Sequence, residues 1–159
     1  YNQGSCFKVV LPKNRLVDLH VPTVEKHHEE ASELSLKGSC VLVVDDIMMN
    51  CAVLESMLET YSADHIISVN SGIEAVDYVK QNSPPDLILM DMRMPGMDGI
   101  ETTGVIRELG YQGVIIAITA NATADDERDC LAAGMNGFMA KPVVMEELER
   151  VINTLLKQQ

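Results

Sequence analysis

Tryptophan is absent from this 159-residue chain, and only two phenylalanines and four tyrosines are present. The core must therefore be built from aliphatic and thioether side chains, supplied by ten methionines and short runs of Val, Ile and Leu. Basic residues are also scarce, 12 Lys and Arg against 24 Asp and Glu, for a net charge of −12. The imbalance is local: residues 1–38 carry five groups of each sign, leaving 7 basic and 19 acidic groups from residue 39 onward. That argues against a nucleic-acid partner, because neutralising phosphates needs clustered Lys and Arg. No apolar run approaches the roughly 20 residues that span a bilayer, so no direct membrane contact is expected of this stretch. The opening Tyr1-Asn2-Gln3-Gly4 shows neither an initiator Met nor a signal-peptide pattern, which suggests a piece of something longer. The four cysteines (Cys6, Cys40, Cys51, Cys130) are far apart with no C-x-x-C pair, so neither a zinc cage nor a disulfide framework is expected.

What is present begins at residue 40. Short aliphatic runs at Val41–Val44, His65–Val69, Leu87–Met90, Val114–Ile118 and Gly137–Ala140 alternate with amphipathic stretches at about 47–60, 72–81, 99–109, 124–133 and 144–157. Asn70-Ser71-Gly72, Ser83-Pro84-Pro85 and Gly110 punctuate them. Five βα units with continuously apolar strands predict an α/β fold: a five-stranded parallel sheet, doubly wound, in three layers. Residues 13–38 lack sustained apolar periodicity and read as a linker before a domain at 39–157. His27 and His28 within it read as solvated, since adjacent side chains on a helix do not face the same way.

In such sheets the loops at the carboxyl ends of the strands form the site. Those positions hold Asp45-Asp46, Asp91, Thr119-Ala120 and Lys141-Pro142. Each alone has an ordinary explanation as a helix cap or a surface charge; together, at successive strand ends, they form a constellation. Three carboxylates brought together repel one another and call for a cation. Mg2+ fits, since it takes one or two protein carboxylates and keeps several waters; Ca2+ is an alternative whose usual loop of alternating acidic ligands is lacking. A carboxylate nucleophile, a metal, the Lys141 ammonium and the Thr119 hydroxyl are equipment for phosphoryl transfer. No His, Ser or Cys stands as a general base, so the donor must bring a reactive phosphoryl group such as phosphohistidine.

The runs Val41-Leu42-Val43-Val44-Asp45-Asp46 with Asn50, Leu89-Met90-Asp91-Met92-Arg93-Met94-Pro95-Gly96-Met97-Asp98-Gly99, Ile118-Thr119-Ala120-Asn121-Ala122 and Lys141-Pro142 resemble the response-regulator receiver domain, over about residues 39–157. The resemblance implies the flavodoxin-like receiver fold. It makes Asp91 the phospho-acceptor, with Asp46, Asp91 and the Arg93 carbonyl binding Mg2+ directly and Asp45 assisting through water. It also implies that Thr119 and Lys141 hold the phosphoryl oxygens and that the Lys141–Pro142 bond is cis. Phe138 lies where these domains carry an aromatic switch residue coupled to Thr119; on its own it reads equally as core. Ile47 departs from the pattern, standing where receivers commonly carry a polar residue. Together with Arg93 and Asn121, which flank the expected phosphoryl group, it bears on phosphoryl lifetime.

Residues 4–12, Gly4-Ser5-Cys6-Phe7-Lys8-Val9-Val10-Leu11-Pro12, look like the last strand of a histidine-kinase ATP-binding domain, so 1–12 is expected to be its remnant. The combination resembles the receiver module of a hybrid sensor histidine kinase. This implies the kinase's phosphohistidine as donor, a histidine phosphotransfer domain as the next partner, and a cytoplasmic location. The receiver would catalyse its own phosphorylation and dephosphorylation, while the parent would be a kinase. Two rivals have their own signatures. A degenerate receiver would only dock partners. A phosphatase of the haloacid-dehalogenase type expects Asp-x-Asp after its first strand, where this chain has adjacent Asp45-Asp46.

Overall fold

The computed structural model describes residues 34–120 and 123–157. The expected kinase-domain strand at 1–12, most of the linker with His27 and His28, and Asn121 lie outside the described residues. Five strands, β1 (Cys40–Val44), β2 (His65–Val69), β3 (Leu87–Asp91), β4 (Val114–Thr119) and β5 (Gly137–Ala140), alternate with α1 (Met48–Thr60), α2 (Gly72–Gln81), α3 (Gly99–Glu108), α4 (Ala124–Ala132) and α5 (Met145–Leu156). The sheet is wholly parallel in the order β2-β1-β3-β4-β5. Its helices are those of the expected doubly wound fold, with boundaries within a residue or two of the sequence reading.

Two apolar faces explain the layering. Along β1, Val41 and Val43 join one buried cluster with Leu54 and Leu58 of α1 and Leu148 and Ile152 of α5. Leu42 and Val44 join the other, with Ala75 and Val76 of α2, Ile106 of α3 and Cys130 of α4. Alternate residues of a strand point to opposite faces, so a strand apolar at every position can be satisfied only by helices on both sides. Helix starts are fixed locally. Ser71, Asp98 and Thr123 cap α2, α3 and α4 by accepting the backbone N–H of Glu74, Glu101 and Asp126.

The expected linker loses its last residues to the fold. Leu34 and Leu36 are buried in the first cluster, and the Leu36 N–H donates to the Tyr61 carbonyl at 2.8 Å. Two leucines spaced by one residue give no helical period and too short a strand pattern to stand out in a polar stretch. Only the apolar hollow beside Tyr61 reveals what they do.

Arg107 ties the far end of the sheet together. Its guanidinium donates to the carbonyls of Gly134, Tyr111 and Gly113 and to Asn136 Oδ1, all at 2.8–2.9 Å. Opposite in character is Thr103, fully buried in α3, whose hydroxyl is the one buried side-chain polar atom without a hydrogen-bond partner among the described residues. An orphaned hydroxyl keeps its desolvation penalty. Thr103→Val, which retains the branched shape, should therefore raise unfolding stability by about 1 kcal/mol in urea melts.

Candidate functional site

Parallel pairing places the ends of β1, β3, β4 and β5 side by side, with Val44 opposite Met90, Asp91 opposite Ile118 and Thr119 opposite Ala140. This register gathers residues that are up to 96 positions apart: Lys141 Nζ lies 2.7 Å from Asp45 Oδ2 and 2.9 Å from Asp91 Oδ2. Asp45, Asp46 and Asp91 each present a carboxylate oxygen within 4.8 Å of the others. Asp45 and Asp91 are buried, Asp46 is half-buried, and Thr119 is buried at the end of β4. The Lys141 N–H donates to the Thr119 carbonyl at 2.7 Å, joining the last two strand ends. The Lys141–Pro142 bond is cis.

Asp45 is the most tightly held of the three acids. Its Oδ1 accepts from the Ile47 N–H and from Asn50 Nδ2, both at 2.9 Å, and its Oδ2 accepts from Asn50 Nδ2 at 3.0 Å as well as from Lys141. Asp91 Oδ1 accepts the Arg93 N–H at 3.2 Å. Burial raises the Asp91 carboxyl above its ordinary pKa, against the opposing pull of Lys141 and the Arg93 N–H, with the nearby Asp45 adding to the rise. Burial likewise opposes the charge on Lys141, yet hydrogen bonds and attraction from Asp45 and Asp91 outweigh it and raise the ammonium's pKa. Three acids around one ammonium are undercompensated, and an all-oxygen donor set of this kind suits a hard divalent cation.

The neighbouring loop depends on a close approach. A Cβ at Gly99 would run into the Asp91 carbonyl oxygen and stand 3.0 Å from Met92 Cα, so the start of α3 can pass the end of β3 only as glycine. Phe138 lies on β5, half-buried, against a groove shared with Leu131 of α4 and Val151 and Leu155 of α5. Arg93 is exposed beside Asp98, Asp126 and Asp129 at a small cavity that Thr119 also lines. Ile47 is 53% exposed at the N-cap of α1.

The sequence motifs brought Asp45, Asp46, Asp91, Thr119 and Lys141 to one place, and the structure places them there. Two contributors had no separate role in the sequence reading: Asn50, whose amide spans both oxygens of Asp45, and Gly99. Asn50 lies five residues beyond Asp45, a spacing that places it in the first turn of the following helix, facing back toward the acid.

Residues 41–153 match the response regulator receiver domain family, and the chain belongs to it. Among curated proteins, the signal transduction histidine-protein kinase BarA of Escherichia coli K12 is 37% identical over 161 aligned positions, covering 97% of this chain and 17% of BarA. The chain spans 11–17% of the length of the first curated relatives it matches. Two solved structures add the fold. The receiver domain of the Pseudomonas aeruginosa PAO1 sensor histidine kinase PA1611, with a magnesium ion in its active-site cleft, is 39% identical with a TM-score of 0.66, covering 75% of this chain and 98% of that one. A co-crystal structure of the Saccharomyces cerevisiae histidine phosphotransfer protein Ypd1 with the receiver domain of its downstream response regulator Ssk1 gives a TM-score of 0.67 at 30% identity, over 74% and 88% of the two chains.

Proposed function

We propose that this receiver domain takes a phosphoryl group onto Asp91 from a phosphohistidine, using Mg2+ held by Asp46, Asp91 and the Arg93 carbonyl, with Asp45 assisting. The observation that carries the reading is the Lys141 ammonium bridging two of three clustered carboxylates at 2.7 and 2.9 Å. In the transfer, an Asp91 carboxylate oxygen attacks phosphorus in line and the P–N bond to the imidazole breaks. The ring, protonated on its other nitrogen, leaves neutral. Bound Mg2+ would supply positive charge against the phosphoryl oxygens. In this reading Lys141 holds a second oxygen by charge, and the Thr119 hydroxyl holds a third.

The surroundings favour a protein partner, to which the phosphoryl group passes on. Ile47, Met48, Met49 and Val53 on or beside α1, and Val144 before α5, are 47–72% exposed around the site. Val53 also lines a cavity of about 470 Å3 with Asp45, Asn50, Leu54, Ile118, Lys141, Pro142 and Val143. An apolar rim next to a reactive centre suits a partner surface that seats a histidine, and the Ypd1–Ssk1 pairing supplies the class: a histidine phosphotransfer domain. The parent is a hybrid sensor kinase in this reading, with the receiver on the cytoplasmic side. Among the described residues no helix is long and apolar enough to cross a membrane.

Intact mass after incubation with phosphoramidate tests the reading. The native chain should gain one acid-stable, base-labile phosphoryl group in the presence of Mg2+ and none when it is chelated, and Asp91→Asn should gain none under either condition. A folded, Mg2+-binding native chain that stays unmodified would favour the docking-only receiver. Multiple turnover of a phosphomonoester would revive the phosphatase alternative.

A further inference from the structure

We infer that Asn50 sets the metal preference of the site, favouring Mg2+ over Ca2+ by keeping Asp45 out of the metal's inner coordination sphere. The inference rests on the reading that Asp46 and Asp91 are the direct carboxylate ligands. A carboxylate offers about four lone-pair sites. On Asp45 three donors engage them: the Ile47 N–H on Oδ1, Lys141 Nζ on Oδ2, and the Asn50 amide nitrogen bridging both oxygens at 2.9 and 3.0 Å. The side chain is 1% exposed, so these donors and not bulk water fix its orientation. Among the described residues each oxygen of Asp91, by contrast, accepts one bond, from the Arg93 N–H or from Lys141. Half-buried Asp46 opens toward the same space.

The two cations differ in how many oxygens they demand. Mg2+ holds a tight octahedron with several waters and one or two carboxylates, whereas Ca2+ takes six to eight oxygens and gains from each added carboxylate. A third acid free to ligate would tilt the site toward Ca2+. Asn50 withholds it, because its neutral amide lies across the edge shared by both Asp45 oxygens without bringing charge. Lys141 and the Ile47 N–H engage one oxygen each, so the loss of Asn50 opens the edge between the two oxygens.

The test is calorimetric titration of Mg2+ and Ca2+ into the native chain, Asn50→Ala, Asn50→Leu and Asp46→Asn, with metal-free thermal melts of each. Both Asn50 variants should melt cooperatively, and the ratio of Ca2+ to Mg2+ affinity should rise about tenfold in each, the scale on which outer-shell partners tune metal sites. An unchanged ratio overturns the inference, as does equal loss of both ions, which would mark Asn50 as support for the site as a whole. Failure of both variants to melt cooperatively also overturns it, making Asn50 a folding residue. Asp46→Asn should abolish binding of both ions. If it leaves Mg2+ binding intact, the assignment of direct ligands is what has failed.

Discussion

Lys141→Met should slow phosphorylation by phosphoramidate about 100–1000-fold, the scale of losing one preorganised charge at a phosphoryl site. The side chain is long enough to fill the same path but brings no charge, so the comparison isolates the ammonium. The same substitution leaves Asp45 and Asp91 buried without their cation. The metal-free variant should be destabilised by about 3 kcal/mol at neutral pH, as for breaking a buried pair from one side. Its pH dependence has a definite sign. Burial already holds the Asp91 pKa above its ordinary value, and Lys141 opposes that rise. Without Lys141 the folded chain holds its proton to higher pH than the unfolded chain does. The stability tied to Asp91 is then fully present at low pH and is lost as pH rises from about 4 through the raised folded-state value. Melts of the metal-free variant should fall more steeply with pH than those of the native chain, and saturating Mg2+ should restore part of the loss. A variant with native melts at every pH would mean that Lys141 does not compensate these acids.

Gly99→Ala should cost about 3 kcal/mol in urea melts and strip the site of its phosphoryl acceptance together. The added methyl would meet backbone on the strand side: the Asp91 carbonyl, Met92 Cα at 3.0 Å and the Asp91 carbonyl carbon at 3.1 Å. No rotamer change relieves contact with main chain, so the start of α3 must move away from β3. Movement breaks the bond from the Gly99 N–H to the Met92 carbonyl and shifts Asp91, the residue on which the chemistry depends. Gly104→Ala, five residues further along the same helix, is the control. Its Cβ would meet nothing within 4 Å, and replacing a mid-helix glycine should stabilise by about 0.5–1 kcal/mol with phosphorylation unchanged. The loss at Gly99 is thus expected from position and not from helix propensity. Native-like melts and adduct formation in Gly99→Ala would show that the loop has room to give.

The elements themselves were largely legible because each is written locally. His65–Val69 and Gly137–Ala140 run as strands at the residues expected, and Ser71 and Thr123 start helices where their side chains can reach a backbone N–H three residues on. Leu34 and Leu36 were not legible. Their role depends on Tyr61, at the far end of α1, which shares their buried cluster and accepts the Leu36 N–H. Arg107 shows the same limit. Nothing nearby in sequence says that an arginine in an amphipathic helix will spend its guanidinium on carbonyls from two other loops.

At the site the division is finer. The sequence by itself determined which residue types stand at the strand ends, because apolar runs stopping at Asp, Thr and Lys are a local pattern, and it determined the family, because those runs recur together. Only the tertiary structure decided that Lys141 lies between Asp45 and Asp91, that Asn50 bridges both oxygens of Asp45, and that Gly99 must pass against Asp91. Those are facts of angle and distance between segments as much as 96 residues apart, and no one-dimensional pattern encodes them. Strand register and helix packing turn a list of acids into a graded set, in which one carboxylate is held by three donors, one is half-open, and one lies between an ammonium and a backbone N–H.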